Sequence, residues 1–196
     1  MLLSEKGFAG RVATIPRRAD SGRAALSHDQ NRLWLTEQLE PGTSLYNDCV
    51  AVRLRGGPLD VAVFDRVLQE VVRRHEILRT TFEESGRGPI QVIHPGMRLP
   101  LLQEDLRRLP AGEVDRGFQR ILEQLQAPFD LTVLPLLRAA LVRVSDDEHV
   151  FAVCMHHIIS DGVSYGILYT ELSALYPAFA RGDSSHCRSC RSSSLT

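Results

Sequence analysis

The residues best suited to chemistry form one short run, His156-His157-Ile158-Ile159-Ser160-Asp161-Gly162. It follows directly after a segment, 150–155, that is apolar at every position and so predicts a strand buried on both faces. The end of such a strand holds a side chain rigidly at a sheet edge, where an imidazole can act as a general base near neutral pH. The structural alternative is two histidines satisfied by hydrogen bonds and an aspartate that caps the next helix.

Two other members of the run have predicted roles in its backbone. Gly162 is expected to support a tight turn that residues with a side chain would resist. Asp161 is expected to fold back toward the histidines or to pair with a buried cation.

The elements that position this run are predicted from the spacing of apolar residues. Short apolar or alternating segments predict strands at 50–54, 80–83, 90–94, 136–144 and 149–155. Apolar residues three and four apart predict helices within 30–39, 64–72, 114–125 and 168–179. Asp60 is expected to cap the second helix, and Gly86 with Gly88 to mark a hairpin between two strands. The fold class is therefore α/β, an α+β two-layer unit with a mixed sheet flanked by helices.

Composition and charge restrict the class of protein. Hydrophobic residues make up 43% and charged residues 24%, which is typical of a globular domain. The net charge of −1 gives no electrostatic reason to expect a nucleic acid or membrane partner. No apolar run is long enough to span a bilayer, and Glu5 and Lys6 interrupt the stretch that a signal peptide would need. The sequence predicts a cytoplasmic protein.

The four cysteines fall into two groups. Cys49 and Cys154 lie in apolar, strand-like segments and are expected to be small buried thiols. Cys187 and Cys190 lie in a polar tail, and because no second cysteine pair accompanies them, no zinc site is expected there.

Three sequence motifs, in order along the chain, resemble those of the chloramphenicol-acetyltransferase-like superfamily, which includes the condensation domains of nonribosomal peptide synthetases. The run at 156–162 matches H-H-x-x-x-D-G, and residues 74–82 match R-H-E-x-L-R-T-x-F. Residues 27–34 resemble S-x-A-Q-x-R-x-W, with Asp29 where the family usually has alanine. The resemblance runs from about residue 26 to 183 and implies the N-terminal lobe of such a domain.

This resemblance implies an activity and a catalytic residue. The family forms an amide between two substrates, each tethered as a thioester to a carrier protein through a phosphopantetheine arm, and no cofactor or metal is bound directly. His157, the second histidine of the motif, is expected to accept a proton from the attacking amine or to orient that amine. His156 is a supporting residue, and Gly162 keeps the backbone close to the thioester.

The remaining site residues are expected to be structural. Asp161 is expected to pair with one of three arginines, Arg32, Arg74 or Arg79, and Ser160 is another supporting residue. Two further polar residues of the second motif, His75 and Glu76, are expected to cap and tether the end of a helix.

The predicted domain organisation leaves several functions open. Residues 1–25 are predicted to be a linker or arm, 26–183 the N-terminal lobe and 184–196 a tail. The tail fits no element of the fold, and a shift of reading frame would explain it. The rival interpretation is a disordered tail. In the family the reaction takes place in a tunnel between two lobes, and the second lobe is absent here. The chain is therefore expected to be inactive alone. The alternatives are a non-catalytic half-domain, either a carrier-protein docking piece or a decayed gene product, and a relative of the epimerisation domains. The first two motifs favour the condensation type that joins an L-donor to an L-acceptor.

Overall fold

The computed structural model describes residues 22–182. The predicted tail from residue 184 and most of the predicted N-terminal arm lie outside this range. The helices and strands of the described residues are β1 (Arg23–Ala25), α1 (His28–Leu39), β2 (Asn47–Arg55), α2 (Val61–Arg74), a 3₁₀ turn (Glu76–Arg79), β3 (Thr80–Ser85), β4 (Gly88–Ile93), β5 (Leu101–Asp105), α3 (Ala111–Gln126), β6 (Leu137–Arg143), β7 (Glu148–His156) and α4 (Gly162–Ala180).

The larger sheet has the strand order β2-β7-β6-β5. Strand β7 is antiparallel to both of its neighbours, whereas β5 runs parallel to β6, so the predicted mixed sheet is confirmed. The sequence did not predict β5, because three of its five residues are polar and exposed and leave no apolar alternation to detect.

The smaller sheet has the order β1-β4-β3 and contains the predicted hairpin. Gly88 begins the second hairpin strand with a φ of 105°, a conformation that favours glycine. Residues 23–25, assigned to the N-terminal arm, instead form β1 and pair with β4. Three residues are too few to show a strand period, so the sequence pattern places this boundary too late.

Helices cover both faces of the larger sheet, so the fold has three layers where the sequence predicted two. Along β7, Phe151, Val153 and Met155 face a core shared with α1, α2 and α4, and the alternate residues face a second core against α3. Strand β7 is buried at every position from 149 to 156, as predicted. The apolar face of α2 is also buried as predicted, and Asp60 caps this helix by accepting hydrogen bonds from the N–H groups of Ala62 and Val63.

Cys49 and Cys154 were expected to be separate thiols, but the structure joins them in a disulfide. They lie directly opposite each other in the β2–β7 pair, with their Cα atoms 4.0 Å apart. The two cysteines are 105 residues apart in sequence, and only the register of the two strands reveals that they are neighbours.

Candidate active site

The two adjacent histidines at the end of β7 occupy different environments. His156 is the last residue of the strand and is only 1% exposed, whereas His157 is exposed. The backbone N–H of His157 donates to the carbonyl of Tyr46, 2.8 Å away, just before β2 begins. The imidazole of His157 is thus presented to solvent from a backbone that two strands hold in place.

One hydrogen bond fixes the orientation and the tautomer of His157. Its Nδ1 lies 2.8 Å from the carbonyl oxygen of Ser160. A carbonyl can only accept, so Nδ1 carries the proton, and in the neutral ring Nε2 has the free lone pair. The hydroxyl of Ser160 donates to the carbonyl of His156 and holds the turn that makes this contact possible. The neutral ring of His157 can therefore accept a proton at Nε2.

His156 has the opposite tautomer and no access to solvent. Its Nδ1 accepts a hydrogen bond from the N–H of Ile158, 3.0 Å away, so the proton of the neutral ring lies on Nε2. Burial, with a smaller contribution from the neighbouring His157, lowers the pKa of His156 to about 4. The ring therefore stays neutral and shapes the turn, in line with the supporting role expected for it.

Asp161 caps a helix where an ion pair with arginine was expected. Its Oδ1 accepts from the N–H and from the hydroxyl of Ser164, at 2.9 and 2.7 Å, and the Ser164 hydroxyl accepts from the N–H of Asp161. This capping box begins α4. The hydrogen bonds from Ser164 lower the pKa of Asp161.

The three candidate arginines have other surroundings. The Nε of Arg74 bonds to Glu70 at 2.8 Å, and Arg79 donates to the carbonyl of His94. Arg32 is exposed on α1. Among the described contacts, Asp161 pairs with none of these arginines, so the expected ion pair is wrong. Its carboxylate instead caps the helix that follows it.

Gly162 is the first residue of α4. The expectation that a tight turn requires a glycine at this position is also wrong. Its backbone is not in the left-handed region that favours glycine, so its conformation is open to other residues. A Cβ at this position would meet no atom within 4 Å. Gly162 instead leaves open space at the start of the helix that follows the histidines.

His75 tethers a helix, as the sequence predicts. It follows α2 as the C-cap, and its Nε2 lies 3.0 Å from Oε1 of Glu171 on α4. This contact joins the second motif to the helix that begins directly after the histidine run.

Sequence reasoning missed Gln30 on α1. Its Nε2 donates to the carbonyl of Ile158, 3.2 Å away, and its Oε1 accepts from the N–H of Ser27 in a capping box. Gln30 is a specified position of the first motif, and that position was the available signal. Tyr165 was missed as well; its hydroxyl donates to the carbonyl of Asp48, and burial raises its pKa.

We expect Asp161→Ala to cost the chain about 1 kcal/mol of unfolding free energy, the usual effect of losing a helix cap. Asp161→Asn keeps an acceptor and should cost less. Asp60→Ala, which removes the cap of α2, is the matched control and should have a similar effect. Urea unfolding of the three variants measures these differences. A loss of about 3–5 kcal/mol for Asp161→Ala alone would contradict the cap and indicate a broken buried ion pair.

Two further findings concern ligands and membranes. Within residues 22–182, no three His, Cys, Asp or Glu side chains come close enough together to hold a metal ion. In the same part of the chain, none of the helices has the length and apolar character needed to cross a bilayer.

Comparison with known proteins places this site in a family. The family model described as "Condensation domain" matches residues 20–190. The chain is 41% identical over 184 residues to a linear gramicidin synthase protein of Brevibacillus parabrevis, an alignment covering 93% of this chain and 2% of that protein.

Solved structures give the same result. The starter condensation domain of rhizomide synthetase superposes with a TM-score of 0.75 at 28% identity, covering 83% of this chain and 39% of that one. The first condensation domain of the CDA synthetase gives a TM-score of 0.73 at 29% identity, covering 84% and 42%. The chain thus spans about two fifths of the solved domains and a small part of the gramicidin synthase protein. This chain belongs to the condensation domain family of nonribosomal peptide synthetases.

Proposed function

We propose that this chain supplies the histidine-bearing part of an amide-forming acyltransferase site, in which His157 is the general base. The observation that carries this proposal is the hydrogen bond from Nδ1 of His157 to the carbonyl of Ser160, which leaves the Nε2 lone pair on an exposed ring. A base must be within hydrogen-bond reach of the proton that it takes, and the exposed Nε2 can be approached by an amine.

The reaction joins two substrates held as thioesters on phosphopantetheine arms. The amine nitrogen of the acceptor attacks the donor thioester carbon, the new C–N bond forms and the C–S bond breaks. His157 takes the proton from the nitrogen and can return it to the departing thiolate, so no other reactant is needed. The partners are carrier proteins and the adjoining synthetase domains, and the cytoplasmic location expected from the sequence stays a prediction.

The open space beside Gly162 supports the same proposal. A thioester has to come close to Nε2 of His157, and a side chain at the start of α4 would restrict the approach. An exposed imidazole alone, however, neither holds two tethered arms nor keeps water from the thioester. The chain by itself should therefore be inactive, and a second lobe should be required.

The experiment compares the chain alone with a complete condensation domain in which this chain forms the first part. Donor and acceptor carriers are loaded with aminoacyl groups, loading is verified by mass spectrometry, and the amide product is quantified. We expect product from the complete domain and only background from the chain. Amide formation by the chain alone at a similar rate would contradict the need for the second lobe. Carrier binding without product in the complete domain would favour a non-catalytic docking function instead.

A further inference from the structure

Two buried polar atoms face each other beneath the histidine run. They are Oε2 of Glu37 on α1 and Nε2 of His156, which lie 4.0 Å apart. Glu37 is 7% and His156 1% exposed, and within the described residues neither atom has a hydrogen bond partner. A buried donor or acceptor without a partner is costly, so nearly every such atom in a folded protein is paired. Two unpaired atoms that face each other therefore point to a shared role.

The other hydrogen bonds of the two side chains fix which atom is the donor. Nδ1 of His156 accepts from the N–H of Ile158, so Nε2 carries the ring proton. Oε1 of Glu37 accepts from the N–H of Gly42, at 3.1 Å, which leaves Oε2 for another donor. A proton donor thus faces an acceptor, and an approach of about 1 Å completes a hydrogen bond.

Helix α1 lies next to both backbone polar groups of Ile158. Gln30 donates to the carbonyl of Ile158, and Glu37 lies 4.0 Å from the His156 ring, whose other nitrogen accepts from the N–H of Ile158. Ile158 follows directly after His157, and its orientation sets the turn that brings the Ser160 carbonyl to Nδ1 of His157.

We propose that Glu37 is a positioning residue for His157: it holds the Nε2–H of His156 and so maintains the turn that fixes the tautomer of His157. Glu37 is buried and does not touch substrate. The effect on catalysis rests on the function proposed above, whereas the effect on the tautomer does not.

The test uses ¹⁵N NMR of the histidine rings in the 196-residue chain, because ring nitrogen shifts report the tautomer directly. Wild-type His157 should be protonated at Nδ1 and His156 at Nε2. In Glu37→Ala both histidines should become mixtures of the two tautomers. The amide in Glu37→Gln has one carbonyl oxygen, which can accept from Gly42 or from His156 but not from both. This variant should therefore change the tautomers less than Glu37→Ala does. Glu40→Gln, an exposed carboxylate just after α1, is the control and should match wild type.

Activity provides the second measurement. In the complete domain, Glu37→Ala should lower kcat by roughly 10- to 100-fold with little change in KM, the effect of a displaced catalytic group. If a folded Glu37→Gln or Glu37→Ala variant keeps the wild-type tautomers at both histidines, the proposal is wrong, whatever its activity. Should Glu37→Ala fail to fold, the tautomers of Glu37→Gln decide. A third outcome separates the two proposals: the wild-type chain has the expected tautomers and Glu37→Gln alters them, but the complete domain makes no amide. In that case the positioning role of Glu37 stands and only the proposed function is wrong.

Discussion

Replacing His157 with alanine should lower the rate of amide formation by a complete condensation domain roughly 10²–10⁴-fold. The side chain is exposed and makes one hydrogen bond, to the Ser160 carbonyl, so its removal should leave the fold intact. The loss should appear in kcat with carrier-bound substrates, because the base acts in the transition state.

Two other histidines serve as controls for this experiment. His28→Ala changes an exposed ring at the start of α1 and should leave the rate unchanged. His156→Asn keeps an acceptor near the position of Nδ1 but removes the Nε2–H that faces Glu37, so it should reduce kcat about as much as Glu37→Ala and less than His157→Ala, once rates are corrected for the folded fraction. Equal losses for His156 and His157, or no loss for His157, would show that the general base has been assigned to the wrong residue.

Lowering the pH from about 6.5 to 4 should cost the chain about 3 kcal/mol of unfolding free energy through His156 alone. The pKa of this residue falls from 6.5 to about 4 in the folded protein because its ring is buried. Between these values the unfolded chain binds a proton that the folded chain does not. The contribution of His156 is therefore fully present above pH 6.5 and is lost as the pH falls to 4.

Urea unfolding at intervals between pH 7.5 and about 5.5 measures the first part of this loss in a range above the titration of most carboxylates. Burial also lowers the pKa of His149, which adds a slope of the same sign. His156→Asn should be less stable at neutral pH but lose clearly less stability on acidification than wild type. His28→Asn, on the exposed residue, should retain the wild-type slope. A slope unchanged in His156→Asn would mean that His156 binds a proton as readily in the folded state as in the unfolded state.

The features predicted correctly from the sequence are those that local patterns determine. Strand β7 is recognisable because every residue from 150 to 155 is apolar, and α2 because its apolar residues recur at helical spacing behind the cap residue Asp60.

The features that were missed depend on contacts between distant segments. The disulfide requires the register of β2 against β7, and the contact between Glu37 and His156 requires the packing of α1 beneath the turn. The partner of Asp161 was misjudged for a related reason. A carboxylate before a helix can cap that helix or pair with a cation, and only the side-chain conformation decides between the two.

The disulfide between Cys49 and Cys154 also determines how the chain would carry a mechanical load. The bond closes a covalent ring that contains α2, the hairpin, β5, α3 and β6, whereas α1 and α4 lie outside it. A pull on the two ends of the chain passes from β2 directly to the end of β7 through the sulfur atoms. The covalent path of the load therefore bypasses the residues between Cys49 and Cys154 and continues through Met155 and His156 to the turn at His157.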